Sequence, residues 1–179
     1  MYVLIAYLAC FGAGFLAKLT DWLDDKPKGK PRPAECIAAL AYGFFAAFAA
    51  SQSPALATLA VAIAAGMLFA GKIDSQAHQR GFAVFLLGLY AFRAPAIDLP
   101  LTAFFVLLAL ADEFLNDAAG KYKDALGFIA RHRLVLDFGV LALALFTGEW
   151  VYLFACLALD AGYQLSCFAG EKGWFKCLR

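Results

Sequence analysis

The sequence predicts an all-α integral membrane protein of seven transmembrane helices, arranged as two parallel three-helix repeats (helices 1–3 and 5–7) joined by helix 4. Three observations carry that expectation. Hydrophobic residues make up 64% of the 179 positions and charged residues only 16%, where soluble domains carry about a quarter charged. Apolar blocks recur from end to end at close to the length, about 20 residues, that crosses a bilayer core. The basic residues cluster at alternate block ends. The chain therefore reads as a single polytopic domain, 1–179. Its net charge of +1 gives no sign of nucleic-acid binding.

The blocks fall at about 2–20, 35–52, 55–72, 81–97, 100–117, 134–148 and 150–168. The third carries no charge from Pro54 to Gly71, and the short sixth holds Asp137 near its start. Unbroken Ala, Leu and Phe without alternation favour helices over barrel strands. After the first block, Lys26, Lys28, Lys30 and Arg32 alternate with Pro27, Gly29, Pro31 and Pro33, a helix-ending loop. Its cations would clamp phosphate, or would set topology and touch lipid headgroups. Ser51–Pro54 reads as a tight turn on the other side. The stretch 120–133 has the composition of a short amphipathic helix on the membrane surface.

With seven spans, every one of the 15 Lys and Arg except Arg93 lies on or near one side. The positive-inside rule makes that side cytoplasmic, in a plasma (inner) membrane, with the N-terminus outside and the C-terminus inside. Of the 14 Asp and Glu, all but Asp98 and Glu149 gather on the same side. That rule concerns Lys and Arg and leaves the acids unexplained. Glu35, Asp124 and Glu171 read as solvated loop ends. Asp21, Asp74, Asp112 and Asp160 sit within or at the edge of apolar helices, where charges are costly and face a polar cavity.

The acids form a repeat. Residues 16–25, ending Asp21-Trp22-Leu23-Asp24-Asp25, align with 108–117, ending Glu113-Phe114-Leu115-Asn116-Asp117. A basic run follows each copy, Lys26 to Arg32 after the first and Lys121 and Lys123 after the second. Asp21, Asp24 and Asp25 are three and four apart and share a helical face, as do Asp112 with Asn116 and Glu113 with Asp117. Crowded carboxylates repel unless a cation holds them, and Mg²⁺ commonly bridges a few carboxylates to substrate phosphate. An ordinary acidic helix end explains one copy but not its recurrence. Parallel repeats of this kind are related by an axis along the membrane normal. The two acidic corners would then face each other across a cavity open to the cytoplasm.

The remaining charges are less specific. Asp74 and His78 are four apart and read as a hydrogen-bonded pair at a helix end, with Asp74 available as a proton acceptor. Two histidines, His78 and His132, are too few for a zinc site. Five cysteines without CxxC spacing, Cys10, Cys36, Cys156, Cys167 and Cys177, read as free thiols.

Thr20-Asp21-Trp22-Leu23-Asp24, with Lys30-Pro31-Arg32-Pro33 after it, resembles the first Asp-rich motif of the UbiA superfamily of intramembrane prenyltransferases. Glu113-Phe114-Leu115-Asn116-Asp117 is a loose version of the second, at the end of the fifth helix. The resemblance implies Mg²⁺-dependent transfer of a prenyl group. Asp21, Asp24 and Asp117 would hold Mg²⁺ on an isoprenoid diphosphate, supported by Asp25, Glu113 and Asn116. Lys30, Arg32, Lys72, Lys121 and Lys123 would neutralise the departing pyrophosphate. The partners implied are the bilayer and an isoprenoid or otherwise phosphorylated lipid. Two other classes compete: a small cation- or proton-coupled transporter or channel, with Asp112 and Asp160 lining the path, and a non-catalytic lipid-binding or assembly subunit.

Overall fold

The computed structural model describes residues 2–24, 33–121 and 125–175. Asp25, Lys28, Lys30, Arg32, Lys123 and Cys177, all singled out above, lie outside them. Every element among the described residues is helical: α1 (Tyr2–Asp24), α2 (Pro33–Ala50), α3 (Pro54–Phe69), α4 (Gln76–Ala91), α5 (Leu99–Ala118), a 3-10 turn (Ala119–Lys121), α6 (Ala125–His132), α7 (Leu134–Thr147) and α8 (Val151–Glu171). Four stretches are long and apolar enough to cross a membrane, Val3–Asp24, Pro33–Ala50, Leu99–Lys121 and Val151–Glu171, and Pro54–Phe69 and Leu134–Thr147 are shorter apolar helices. The chain is an all-helical membrane protein. Its outer surface fits that: Phe146 is 90% and Tyr90 87% exposed, in a sequence too apolar to leave such groups in water.

Helix boundaries differ from expectation where caps decide. Eight α-helices are present among the described residues, and the one beyond seven is α6, in the stretch that suggested a surface helix. α4 begins five residues before the expected 81 because the Ser75 hydroxyl accepts from His78 N at 3.2 Å, an N-cap that starts the helix there. It ends early, at Ala91, two residues before Arg93 adopts φ 53°. That start overturns the expected helical pairing of Asp74 with His78, since Asp74 lies ahead of the cap. α1 runs past the expected 20 to Asp24, so Asp21 and Asp24 are on its last turns.

α1 packs most extensively against α8 and α2; α2 also carries α4; α3 lies along α5; and α5, α7 and α8 follow one another. Small residues set the closest approaches. A Cβ on Gly14 would overlap the Leu159 carbonyl, and one on Gly162 the Phe11 carbonyl, so the α1 and α8 backbones touch. A Cβ on Gly43 would overlap the Gly81 carbonyl, and one on Gly81 the Tyr42 ring, so α2 and α4 are also in close contact. The main core joins Ala6 and Ala9 of α1 to Leu56, Leu59, Phe105, Val140, Tyr152 and Ala155. Cys10, Cys36, Cys156 and Cys167 are free.

Candidate functional site

A cavity of about 1500 Å³ opens between the helices at the end of the bundle that carries the charges. Its mouth is polar: Asp21, Asp24, Lys72, Asp74, His78, Glu113, Asn116 and Arg133 line it. Below it, the wall from α3 and α4 is apolar, with Leu56, Leu59, Ile63, Met67, Phe82 and Phe85, while α7 and α8 contribute Asp137 and Asp160. Leu56 and Leu59 also belong to the packed layer with Phe105 and Tyr152. Beyond that layer lies a separate pocket of about 590 Å³, lined by Thr58, Asp98 and Glu149 at the opposite end.

α1 supplies the first corner. Asp21 lies between two cationic or ionisable partners: His78 Nε2 is 2.9 Å from its Oδ1 and Lys18 Nζ 3.4 Å from its Oδ2. His78 is itself held from α2, because Tyr42 Oη donates to the His78 carbonyl at 3.0 Å and lies 3.4 Å from its Nδ1. Asp24 lines the mouth one turn on. Thr20, ahead of Asp21, is fully buried and donates to the Leu16 carbonyl at 2.8 Å, so its hydroxyl serves the helix and not the cavity.

α5 supplies the second corner, and here the acids are committed to partners. The Asp112 carboxylate accepts from Val135 N and Leu136 N, both at 2.8 Å. It thereby caps the first turn of α7, whose own N-cap, Arg133, makes no side-chain cap. Glu113, only 3% exposed, receives Arg133 Nη1 at 3.0 Å and lies 3.8 Å from Lys72 Nζ. With its amide oxygen turned toward Arg133, Asn116 accepts from Nε at 3.3 Å and Nη2 at 3.2 Å. Asp117, half exposed, takes Lys72 at 2.6 Å. Arg133 holds φ 53° and ψ 45°, a left-handed conformation uncommon outside glycine. Replacing Asp112 by alanine should cost about 1–2 kcal/mol, the range of a lost N-cap, measurable as a lowered unfolding midpoint in detergent. An unchanged midpoint would show that the α7 N-terminus needs no cap.

Asp21, Asp24, Asp74, Asp112, Glu113, Asn116 and Lys72 all line the one cavity. Asp117 reaches it only through Lys72, and Lys121 is exposed away from it. Among the described residues, no three of His, Cys, Asp and Glu come close enough to hold a metal ion. A divalent cation is offered Asp21 and Asp24 by α1; by α5 it is offered acids already facing Lys72 and Arg133. Sequence reasoning missed the contributions of Lys18, Tyr42, Arg133 and Tyr163. Lys18 Nζ sits 5.1 Å from the centre of the Tyr163 ring and Arg133 Cζ 6.0 Å from the same centre. Deeper, Asp137 of α7 and Asp160 of α8 line the cavity as interacting neighbours. No family model, no curated protein and no solved structure matches the chain.

Proposed function

We propose that the chain binds an isoprenoid diphosphate in this cavity and transfers its isoprenoid group to an acceptor. The observation that carries the reading is a cavity with a charged mouth and an apolar wall from α3 and α4, lined by both Asp-rich stretches from opposite halves of the sequence. The diphosphate sits among Lys72, Arg133 and the α1 corner, and the hydrocarbon runs down between Ile63, Met67, Phe82 and Phe85. The C1–O bond breaks with its electron pair leaving on pyrophosphate, and the acceptor nucleophile bonds to C1 and gives up its proton. Asp74, exposed at the mouth, is placed to receive that proton. Lys72 and Arg133 favour departure by meeting charge as it develops on the leaving group. Aromatic faces at Tyr42, Phe82 and Phe85 shield a cationic isoprenoid from water and stabilise it. Mg²⁺, when bound, would sit at Asp21 and Asp24, take its other ligands from phosphate and water, and further neutralise the diphosphate.

The finer architecture belongs to the same reading. Taking α1–α3 as one repeat and α5, α7 and α8 as the other, α1 against α8 corresponds to α5 against α3, and α1 against α2 to α5 against α7. Both pairs of contacts occur, which supports an axis along the membrane normal and seven spans. The distribution of basic residues supports a mouth on the cytoplasmic side of an inner membrane, with the N-terminus outside.

Transport is the second reading, favoured by the Asp137–Asp160 pair at depth. The apolar layer of Leu56, Leu59, Phe105 and Tyr152 between the cavity and the opposite pocket argues against it. The two are separated by incubating purified protein with a labelled isoprenoid diphosphate and Mg²⁺. Asp24→Asn should lower pyrophosphate release about a hundredfold, and chelator should do the same. Absent metal-dependent binding, together with cation flux in proteoliposomes abolished by Asp160→Asn, would establish transport instead.

A further inference from the structure

We infer that Lys18, Tyr163 and Arg133 form an anion bridge across the two corners, in which one phosphoryl group is held between the ammonium and the guanidinium beside the Tyr163 ring. The inference rests on the reading of the cavity just given and names where in the mouth the anionic head lies.

The geometry comes first. Tyr163, on α8, is half-buried and lines the cavity. Lys18 approaches its ring at 5.1 Å from α1, and Arg133 at 6.0 Å from the start of α7. Each cation belongs to a different Asp-rich corner, Lys18 through Asp21 and Arg133 through Glu113 and Asn116. One ring therefore collects a positive charge from each half of the molecule. Cation–ring attraction favours both heads at the ring. Asp21 holds Lys18 and Glu113 holds Arg133, Asp112 and Asp160 also interact with Arg133, and an anion would meet the N–H groups that these carboxylates leave.

Donor arithmetic agrees. A guanidinium carries five N–H groups. Arg133 uses Nη1 toward Glu113 and Nε and Nη2 toward Asn116, which leaves two. The Lys18 ammonium has three N–H groups; Asp21 takes one, at a long 3.4 Å, and the Tyr163 hydroxyl a second, which leaves one. Planar, paired N–H donors match phosphoryl oxygens. The left-handed backbone at Arg133, φ 53°, costs free energy and directs the side chain back over α5 and Tyr163 in place of continuing α6 into α7. A strained residue whose side chain joins three helices at a cavity mouth is the kind of feature retained for binding. None of the three was legible as a ligand-binding residue: Lys18 reads as a helix-end cation, Arg133 as a loop cation, and Tyr163 carries no pattern that singles it out.

A phosphoryl group arrives either as a free anion or as the head of a lipid, and the test separates these. Binding of inorganic pyrophosphate and of farnesyl diphosphate to the full chain in detergent would be measured by calorimetry, with and without Mg²⁺. Tyr163→Leu should weaken pyrophosphate binding about tenfold, Tyr163→Phe should restore it to within about twofold, and Lys18→Met should weaken it independently by a similar factor. Unfolding midpoints identify any variant that fails to fold, and Lys18→Met then decides alone. If farnesyl diphosphate binds more tightly than pyrophosphate and both need the bridge, the anion is a lipid head. If the two bind equally and both need it, the anion is free, and the bridge stands while the isoprenoid reading fails. Tight farnesyl diphosphate binding that neither variant disturbs would overturn the bridge and leave the cavity reading intact. No pyrophosphate binding at all would overturn it as well.

Discussion

Glu113→Gln should lower the stability of the folded protein by about 3 kcal/mol, the low end of what breaking a buried ion pair costs. The carboxylate is 3% exposed. Its Oε1 holds Arg133 at 3.0 Å, and its Oε2, which makes no hydrogen bond, faces Lys72 at 3.8 Å. Glutamine keeps the shape and removes the charge, so two cations lose a shared buried counter-ion. They are themselves 28% and 33% exposed, and water moderates the loss. Arg133 then has neutral amide oxygens, at position 113 and at Asn116, where it had a carboxylate, and the junction between α6 and α7 loosens with it. Asp117→Asn, which touches the same Lys72 from a side chain 59% exposed, should cost no more than about 1 kcal/mol. Unfolding of both variants in detergent checks this. Equal losses would mean that burial of Glu113 is not what binds this corner together.

Gly162→Val should be at least as damaging, above about 3 kcal/mol, because the obstacle is backbone and cannot rotate away. An added Cβ meets the Phe11 carbonyl and then the Phe15 amide on α1. Gly14 stands in the same relation to Leu159, so α1 and α8 interlock through a reciprocal pair of small residues. Separating them by even an ångström would also widen the cavity between Gly14, Ala17 and Leu159, which line it. Gly120→Ala is the comparison, since a Cβ there meets nothing within 4 Å and should change stability by no more than about 0.5 kcal/mol. A Gly162→Val protein that melts with wild type would refute the interlock.

Much of the architecture was legible because it depends on local rules. Runs of Ala, Leu and Phe about as long as a bilayer is thick become helices whatever surrounds them, and Asp21, Asp24, Glu113 and Asn116 fall at one end of the bundle because their helices alternate in direction. What was not legible depends on distant partners. His78 pairs with Asp21, 57 positions away, and not with Asp74, because the Ser75 cap leaves Asp74 off the helix. The second acidic stretch looked like a copy of the first, yet Asp112 caps α7 and Glu113 holds Arg133, roles set by an arginine in a left-handed turn that no pattern signals. Tyr163 is one tyrosine among seven until Lys18 and Arg133 are both found at its ring.

The contact between α1 and α8 sets a waiting time during synthesis. Roughly 125 residues separate the end of α1 from the start of α8, and at about 5–20 residues per second a ribosome needs some 6–25 s to make them. For that interval the groove around Gly14 has no α8 to fill it and faces lipid or a chaperone of the insertion machinery. The widest interface in the bundle is therefore among the last to close, and the cavity wall that it forms is completed only once the chain has been made through α8.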